Sequence, residues 1–317
     1  MPTIGVVCPP DLDAGLFVDY ARKAERLGFD ELWIVEDCFL NGGIAQAAIA
    51  LSSTSTIRVG LGILPAAARN VAFAAMDIGT LCRMYPGRVT VGIGHGQPGW
   101  MRQVGAWPRS PLTFLSEYMT SLRRLLTGEN VTVAGEYVSL SGVQLGLPLT
   151  SQPRLLAGVR GPRSVALAGS VADGLLLAEP VTPEYLLSVK AQLGASTPSF
   201  EIAGYNVAAV DSDPELARNR ARAGLGWIGD PEWAPHIDPL PFAAEFKELR
   251  ATSGSREDFA SRLPAEWVDQ LAIVGTAEMA RSRIDTLADA GLSAVILVPA
   301  GLPPIEALDG LALVLPH

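Results

Sequence analysis

Eight short apolar segments that alternate with helical periodicity constrain the fold of this chain more than any other feature. Each is a nearly continuous run of valine, isoleucine, leucine and small residues, which is typical of strands buried on both faces of a parallel sheet. Most are followed by a stretch with helical spacing of apolar residues. Strict alternation of eight strands with helices predicts an α/β fold, the (β/α)8 TIM barrel with insertions, and a doubly wound sheet is the alternative. The segments lie at residues 3–7, 31–35, 57–64, 88–94, 154–159, 173–178, 200–210 and 293–299.

Two stretches interrupt the alternation. Residues 131–140 contain two alternating runs around a glycine and predict a small hairpin. Residues 224–268 mix Gly, Pro, Trp and charged residues, and they predict a long irregular insertion after the seventh strand. Because loops after barrel strands shape the active-site mouth, we predict that this insertion acts as a lid. The expected organisation is one barrel domain over residues 1–317 with the insertion at about 224–268.

Composition limits the class of protein. The net charge of −9 argues against a nucleic-acid surface, which needs clustered Lys and Arg. No apolar run approaches the roughly 18 residues of a membrane span, and the N-terminus lacks the pattern of a signal peptide. Three widely separated cysteines, Cys8, Cys38 and Cys82, fit a reducing compartment better than a disulfide framework. Without an HExxH motif or a Cys pair we expect no metal site, and we expect a cytoplasmic protein.

Two adjacent carboxylates follow the second strand and are the first candidate site residues. In a barrel, active-site groups lie just after the carboxyl ends of the strands, where Glu36 and Asp37 are found. They are candidates for capping the next helix, pairing with arginines, or donating a proton or contacting a ligand. Neighbouring residues of a strand point in opposite directions, so one of the two faces the pocket and the other the surrounding helices.

Further candidates follow the fourth, fifth and sixth strands. In "GIGHGQPGW" (92–100), Gly94 and Gly96 permit a planar ligand to approach the backbone, and His95 is either a proton-transfer group or a hydrogen-bonded structural residue. In "VRGPRS" (159–164), a glycine turn precedes a helix, which is either a phosphate site or an ordinary capped turn. The residues of that turn, and the acid after the sixth strand, are Arg160, Gly161, Pro162, Arg163 and Glu179.

Four stretches in this order resemble the luciferase-like monooxygenase superfamily, in particular its branch that uses the deazaflavin coenzyme F420. The resemblance covers about residues 3–300, and each stretch is weak alone. The stretches are "ERLGFDELWIVED" (25–37), "GLGILP…RNVAFAAMDIGTLCRMYPGRVTVGIGHG" (60–96), "LLAGVRGPRSVALAGSVADGLLLAEP" (155–180) and "VGTAEMARSRIDTLADAGLSAVIL" (274–297).

The resemblance implies a TIM barrel, usually dimeric, with the flavin or deazaflavin ring at the carboxyl-terminal mouth. It places the cofactor phosphate at Arg160, Gly161 and Pro162. In deazaflavin members a non-proline cis peptide lies in a bulge of the third strand against the ring, and the matching bond here is Gly62–Ile63. The chain also departs from the family. Many deazaflavin members end the second strand in Trp-x-x-Asp-His, where this chain has Glu36 and Asp37 after Trp33.

A second departure concerns the substrate. Deazaflavin-dependent sugar-phosphate dehydrogenases place a proton-transferring glutamate after the fourth strand, where this chain has Gln97. No basic trio for a sugar phosphate is visible, whereas Trp100, Met101 and Trp107 follow the fourth strand closely. We therefore predict a small apolar or conjugated substrate instead of a sugar phosphate.

The sequence thus predicts an F420-dependent oxidoreductase that moves a hydride to or from a C=C or C=N group. Asp37 and His95 are the predicted catalytic residues. An FMN-dependent luciferase-like monooxygenase is the first alternative. A non-catalytic flavin- or deazaflavin-binding protein is the second, because a fold does not fix a function. The predicted partners are a small-molecule substrate and a second copy of the chain. Predicted cofactor contacts are Glu36, Gly62, Ile63, Gly94, Gly96, Arg160, Gly161, Pro162 and Glu179.

Overall fold

Eight parallel strands close into a barrel in the computed structural model, which describes residues 2–193 and 199–316. The order around the barrel is β1, β2, β3, β4, β7, β8, β9 and β11, and the pairing of β9 with β8 closes it. The predicted TIM barrel is confirmed. The barrel strands are β1 (Thr3–Cys8), β2 (Glu31–Ile34), β3 (Arg58–Pro65), β4 (Val89–Gly94), β7 (Arg154–Gly158), β8 (Gly174–Leu177), β9 (Glu201–Val210) and β11 (Ala294–Pro299).

Three strands lie outside this ring. The antiparallel hairpin of β5 (Val131–Ala134) and β6 (Ser139–Val143) matches the prediction for 131–140 but extends three residues further. Strand β10 (Ile273–Gly275) pairs with the end of β9, beyond the part of β9 that pairs with β8. The sequence analysis missed β10 because three residues are too few to show a period.

Helices surround the barrel and form the longer insertion. Six of the described helices, α4, α5, α6, α7, α8 and α14, begin with a proline, as the fixed φ of proline favours. The helices are α1 (Phe17–Leu27), α2 (Gly43–Ser53), α3 (Val71–Met84), α4 (Pro98–Gln103), α5 (Pro111–Leu126), α6 (Pro162–Val171), α7 (Pro183–Leu193), α8 (Pro214–Gly224), α9 (Ala234–Ile237), α10 (Ala243–Ala251), α11 (Arg256–Arg262), α12 (Ala265–Leu271), α13 (Ala277–Asp289) and α14 (Pro304–Ala312).

The insertion at 224–268 is helical, which corrects the expectation of an irregular segment. Its Pro and Gly residues only divide it into short helices, α9 to α12, and two 3-10 turns, Gly226–Gly229 and Pro231–Trp233. These pack with the ends of β9 and β10 around a second apolar cluster, at which Phe242 stacks on Trp267 with ring centroids 4.7 Å apart. Aromatic burial of this kind compensates for short helices that are marginal alone. The lid stays a prediction.

The barrel interior is filled by side chains and has a charged floor. Trp33 and Tyr205 meet edge to face in its centre, with ring centroids 6.0 Å apart. At the amino-terminal end, the buried carboxylate of Glu31 accepts hydrogen bonds from the Trp33 indole at 2.8 Å and from Arg58 at 3.1 Å. Groups at this end of a TIM barrel serve stability, so chemistry is expected at the opposite, carboxyl-terminal mouth.

No helix within 2–193 and 199–316 is long and apolar enough to cross a membrane.

Candidate active site

Strand alternation separates the two carboxylates that follow β2. Glu36 points to the helices: its carboxylate binds Arg69 through two hydrogen bonds, at 2.5 and 2.7 Å, and accepts the Gly43 N–H that opens α2, at 2.7 Å. Both of its oxygens are therefore engaged within the protein. A cofactor contact from Glu36 stays a prediction, and we base no part of the function on it.

Asp37 is the acid on the barrel side. Burial and the negative charge of Asp11 raise the pKa of Asp37, and Asp37 in turn raises the pKa of Glu179 and of Tyr205. These four groups thus share one electrostatic environment at the mouth. Because Arg69 holds Glu36 beside the start of α2, Asp37 is the acid that acts on the barrel centre, and its contact with a substrate or cofactor stays a prediction.

An outward step in β3 brings Ile63 into the mouth. The pairing of β3 with β4 shifts between Leu61 and Leu64, as expected for a bulge, and the Gly62–Ile63 peptide bond is cis as predicted. The carbonyl oxygen of Gly62 accepts a 2.9 Å hydrogen bond from the Tyr205 hydroxyl. The bulge is therefore anchored to the aromatic centre of the barrel.

Three glycines on neighbouring strands make room for the Ile63 side chain. A Cβ added at Gly92, Gly94 or Gly158 would lie 3.2, 2.8 or 2.2 Å from an atom of Ile63. Real Cβ atoms do not approach carbon atoms closer than about 3 Å, so larger residues at 94 and 158 require Ile63 to move. We call Ile63 with these three glycines the Ile63 platform, a half-exposed apolar surface in the mouth.

His95 follows β4 in sequence, and its side chain contacts the start of α6. Its Nε2 is 3.2 Å from the Ser164 hydroxyl oxygen, and burial lowers the pKa of His95, so the ring is neutral at physiological pH. The helix begins at Pro162, and its N-cap residue Gly161 provides no side-chain cap. Free N–H groups at a helix start attract anions, and the exposed Arg163 adds positive charge. This end of α6 has the properties of a phosphate site.

Arg160 points to the insertion. Its Nη1 donates to the Glu232 carbonyl oxygen at 3.2 Å, and its guanidinium lies 4.5 Å from the ring centroid of Trp233. Burial lowers the pKa of Arg160 and the nearby Glu179 opposes that shift. The predicted phosphate contact of Arg160 stays a prediction, while the exposed Arg163 of the same turn is better placed for an anion outside the barrel.

Glu179 follows β8 and lies at the rim of the barrel mouth. Burial raises its pKa, an effect that its own backbone N–H and Arg160 only partly offset and that Asp37 reinforces. A carboxyl group with a raised pKa holds its proton at higher pH and is suited to acid–base chemistry. The mouth therefore combines two such acids, Asp37 and Glu179, with an apolar platform and an anion site.

Sequence reasoning missed three residues of this mouth. Tyr205 anchors the bulge, Trp233 covers Arg160, and Arg69 holds Glu36. The period-2 alternation of β9 was a usable signal for Tyr205, because it places 201, 203 and 205 on one face. For Trp233 there was no signal, since its contacts depend on how the insertion folds back. Among the described residues, no group of three or more His, Cys, Asp or Glu is placed to hold a metal ion.

A parallel barrel with acids and a bulged strand at its carboxyl-terminal mouth has the architecture of a cofactor-dependent barrel enzyme. A family model described as luciferase-like monooxygenase matches residues 4–294. The chain belongs to this family. The resemblance drawn from the sequence, and the prediction of a luciferase-like enzyme, are confirmed.

Curated relatives share the full length of the chain. The 5,10-methylenetetrahydromethanopterin reductase of Methanolobus tindarius is 26% identical over 305 residues, which cover 93% of each chain. The F420-dependent glucose-6-phosphate dehydrogenase of Microbacterium testaceum is 27% identical over 279 residues, covering 80% of this chain and 82% of that protein.

Solved structures show the same fold. The coenzyme F420-dependent tetrahydromethanopterin reductase of Methanopyrus kandleri superposes with a TM-score of 0.81 at 19% identity, covering 98% of this chain and 97% of that one. An F420-dependent secondary alcohol dehydrogenase, solved with an F420–acetone adduct, gives a TM-score of 0.75 at 22% identity, with 99% of each chain covered.

Proposed function

We propose that this protein is an F420-dependent oxidoreductase that transfers a hydride between the deazaflavin and a small organic substrate with a C=N or C=C bond. The observation that carries the proposal is the Ile63 platform beside two carboxyl groups of raised pKa. The curated relatives with F420 in their names support the choice of cofactor.

The residues of the mouth fit this cofactor. An apolar side chain backed by glycines suits a planar ring, and the Gly94 and Gly96 backbone can approach it closely. The uncapped start of α6, with Gly161, Ser164 and Arg163, suits the phosphate of the cofactor's side chain. When bound, F420 supplies the hydride donor or acceptor, and the protein supplies binding and orientation.

Proton transfer falls to the two acids of the mouth. Hydride addition to a C=N or C=C bond leaves a nitrogen or carbon that takes up a proton, and in the reverse direction the same atom loses one. Asp37 and Glu179 keep their protons at higher pH than ordinary carboxyl groups. The neutral His95, hydrogen-bonded to Ser164, is proposed as a proton relay between solvent and the site.

The charge at the mouth limits the substrate. Arg160 is covered by Trp233 and donates to Glu232, and Asp37 and Glu179 become negative once they ionise, which disfavours a substrate phosphate in the mouth. We therefore propose a neutral or cationic substrate with an apolar or conjugated body. This differs from a sugar phosphate, the substrate in the name of several relatives.

Binding of F420 and of FMN by the purified protein tests the proposal. We expect fluorescence titration to give a dissociation constant on the order of micromolar for F420, and weaker binding for FMN. Oxidised F420 should then lose its absorbance when a suitable reduced substrate is added. Binding of FMN with no binding of F420 would contradict the proposal and favour the monooxygenase alternative.

We also propose that the protein is a homodimer. Exposed apolar side chains cluster on α3, where Phe73, Met76 and Met84 are 64%, 53% and 64% exposed, beside the 45% exposed Ile49 of α2. On a monomer such a patch is unusual, and a two-fold axis would bury it against its own copy.

Charges placed in this patch should separate the dimer. Like-charged carboxylates would face each other across a two-fold interface, so we expect Phe73→Glu with Met76→Glu to halve the mass measured by light scattering. Leu187→Glu is the matched control, because Leu187 is 72% exposed on α7, outside the patch. A wild-type protein that is monomeric at micromolar concentration would refute the proposed dimer.

A further inference from the structure

A short part of the insertion, residues 231–237, folds back onto the rim of the barrel. The Trp233 indole, 8% exposed, donates through Nε1 to the Glu179 carbonyl oxygen at 2.7 Å. Its ring covers the guanidinium of Arg160 at 4.5 Å, and the neighbouring Glu232 carbonyl accepts from Arg160. Two functional strand ends, those of β7 and β8, are thus held by one tryptophan of the insertion.

His236 makes a second contact one turn further on. It is fully buried, its ring lies against Tyr185 with centroids 4.1 Å apart, and its Nδ1 is 3.1 Å from the Pro180 carbonyl oxygen. A carbonyl only accepts, so the Nδ1 of His236 carries the proton. Burial lowers the pKa of His236 to about 3, so the ring stays neutral and this donor is constant over the working pH range.

We propose that Trp233 is a positioning residue that fixes Glu179 and Arg160 in the mouth and excludes water from them, with His236 securing the same segment. This inference rests on the proposed function, because it assigns to the insertion the control of an acid used in that reaction. Two features support it. The indole hydrogen bond fixes the backbone of Glu179, and the cation–π contact holds the guanidinium of Arg160 against the ring.

The proposed role of Trp233 predicts a change in the pKa of Glu179. Burial raises the pKa of Glu179, and the charged and titratable groups that face it are Arg160 after β7, Asp37 after β2 and Tyr205 on β9. Because the Trp233 indole packs on the backbone of Glu179, we expect it to contribute to this burial. Removing the indole hydrates Glu179 while these three groups remain. The pKa of Glu179 should therefore fall toward its ordinary value in a variant without Trp233.

A carbon-13 NMR titration of the Glu179 carboxyl in the protein without cofactor tests this directly. Glu179→Gln identifies the resonance. In Trp233→Ala we expect the pKa of Glu179 to fall by about one unit, a tenfold change in proton affinity. In Trp233→Phe, which keeps a ring over Arg160 but loses the donor, we expect a smaller fall. Trp227→Ala is the matched control, because Trp227 stacks on Arg256 at 3.7 Å in the same insertion and is 52% exposed.

The outcomes separate this inference from the proposed function. An unchanged pKa of Glu179 in folded Trp233→Ala, or a fall equal to that in Trp227→Ala, overturns the positioning role. Should Trp233→Ala fail to fold by circular dichroism, Trp233→Phe decides, and an unchanged pKa there overturns the role. Because no cofactor is present, a protein that does not bind F420 still gives a clear result. With F420 bound, the alkaline limb of the pH–rate profile should move in the same direction as the pKa.

Discussion

Replacing Gly158 by alanine should disrupt the cofactor site. The added Cβ would lie 2.2 Å from Cγ2 of Ile63, on a β-branched side chain with little rotamer freedom. We expect a loss of about 1–3 kcal/mol of folding stability, because the crowded barrel must shift. Displacement of Ile63 should also weaken F420 binding at least tenfold in a fluorescence titration.

Two variants control for this effect. Gly146→Ala places a methyl group in the exposed segment before β7, where nothing lies within 4 Å, and it should leave stability and F420 affinity nearly unchanged. Adding Ile63→Ala to Gly158→Ala removes the clashing atom, so the double variant should recover part of the stability lost by the single one. Equal stability losses in the presence and absence of Ile63→Ala would show that the two residues do not act together.

The barrel was predictable because its information is local and repeated. Each apolar strand can be recognised from five to ten consecutive residues. Because the pattern occurs eight times, an error in the predicted end of one strand does not change the predicted fold class. The bounds of β2 show the limit: the apolar run extends to Val35, but pairing ends at Ile34. Where a strand stops depends on its neighbours, which the local sequence does not contain.

The arrangement of side chains at the mouth was predictable only in part, because it depends on side-chain directions and on contacts between residues far apart in sequence. Alternation showed that one of Glu36 and Asp37 faces inward, yet the choice depends on Arg69, more than thirty residues away. Arg160 is covered by Trp233, which belongs to the insertion that we expected to be irregular. Contacts across such distances follow from packing that no local pattern encodes.

The mouth also explains why Arg160 and Arg163, two residues of one turn, have different environments. Arg160 points to the insertion, where it is half-buried against Trp233 and Glu232, while Arg163 is exposed on α6. The pattern of charges in the sequence therefore does not distinguish the two arginines, and the anion site at this turn stays a prediction. The positive charge of Arg160 instead acts on Glu179, where it partly offsets the rise in pKa that burial causes.

Glu179→Gln should lower turnover and raise stability at the same time. Loss of a general acid or base costs roughly a hundredfold or more, so we expect the rate of F420 oxidation or reduction to fall by at least that factor. Glutamine keeps the size of the side chain and cannot ionise. Since burial raises the pKa of Glu179, the native state binds this proton more tightly than the unfolded chain.

The direction of the change in folding stability follows from the tighter binding of this proton by the native state. Below the ordinary pKa of a glutamate, both states are protonated and the stabilising contribution is complete. As the pH rises toward the raised pKa of Glu179, the unfolded chain loses its proton first, so the wild-type protein loses stability through this window and stays less stable above it. The variant has no proton to lose, so its melting temperature should exceed that of the wild type increasingly across the window.

Thermal unfolding from pH 4 to 9, followed by circular dichroism, measures this difference. Glu232→Gln is the control, because Glu232 belongs to the same rim but its side chain is exposed. Its melting temperature should follow the wild type at every pH. A Glu179→Gln variant that keeps full turnover would remove Glu179 from the chemistry and leave Asp37 as the acid. A difference in melting temperature that does not change with pH would instead show that Glu179 is not buried against ionisation, and the desolvated mouth on which the proposed function depends would be incorrect.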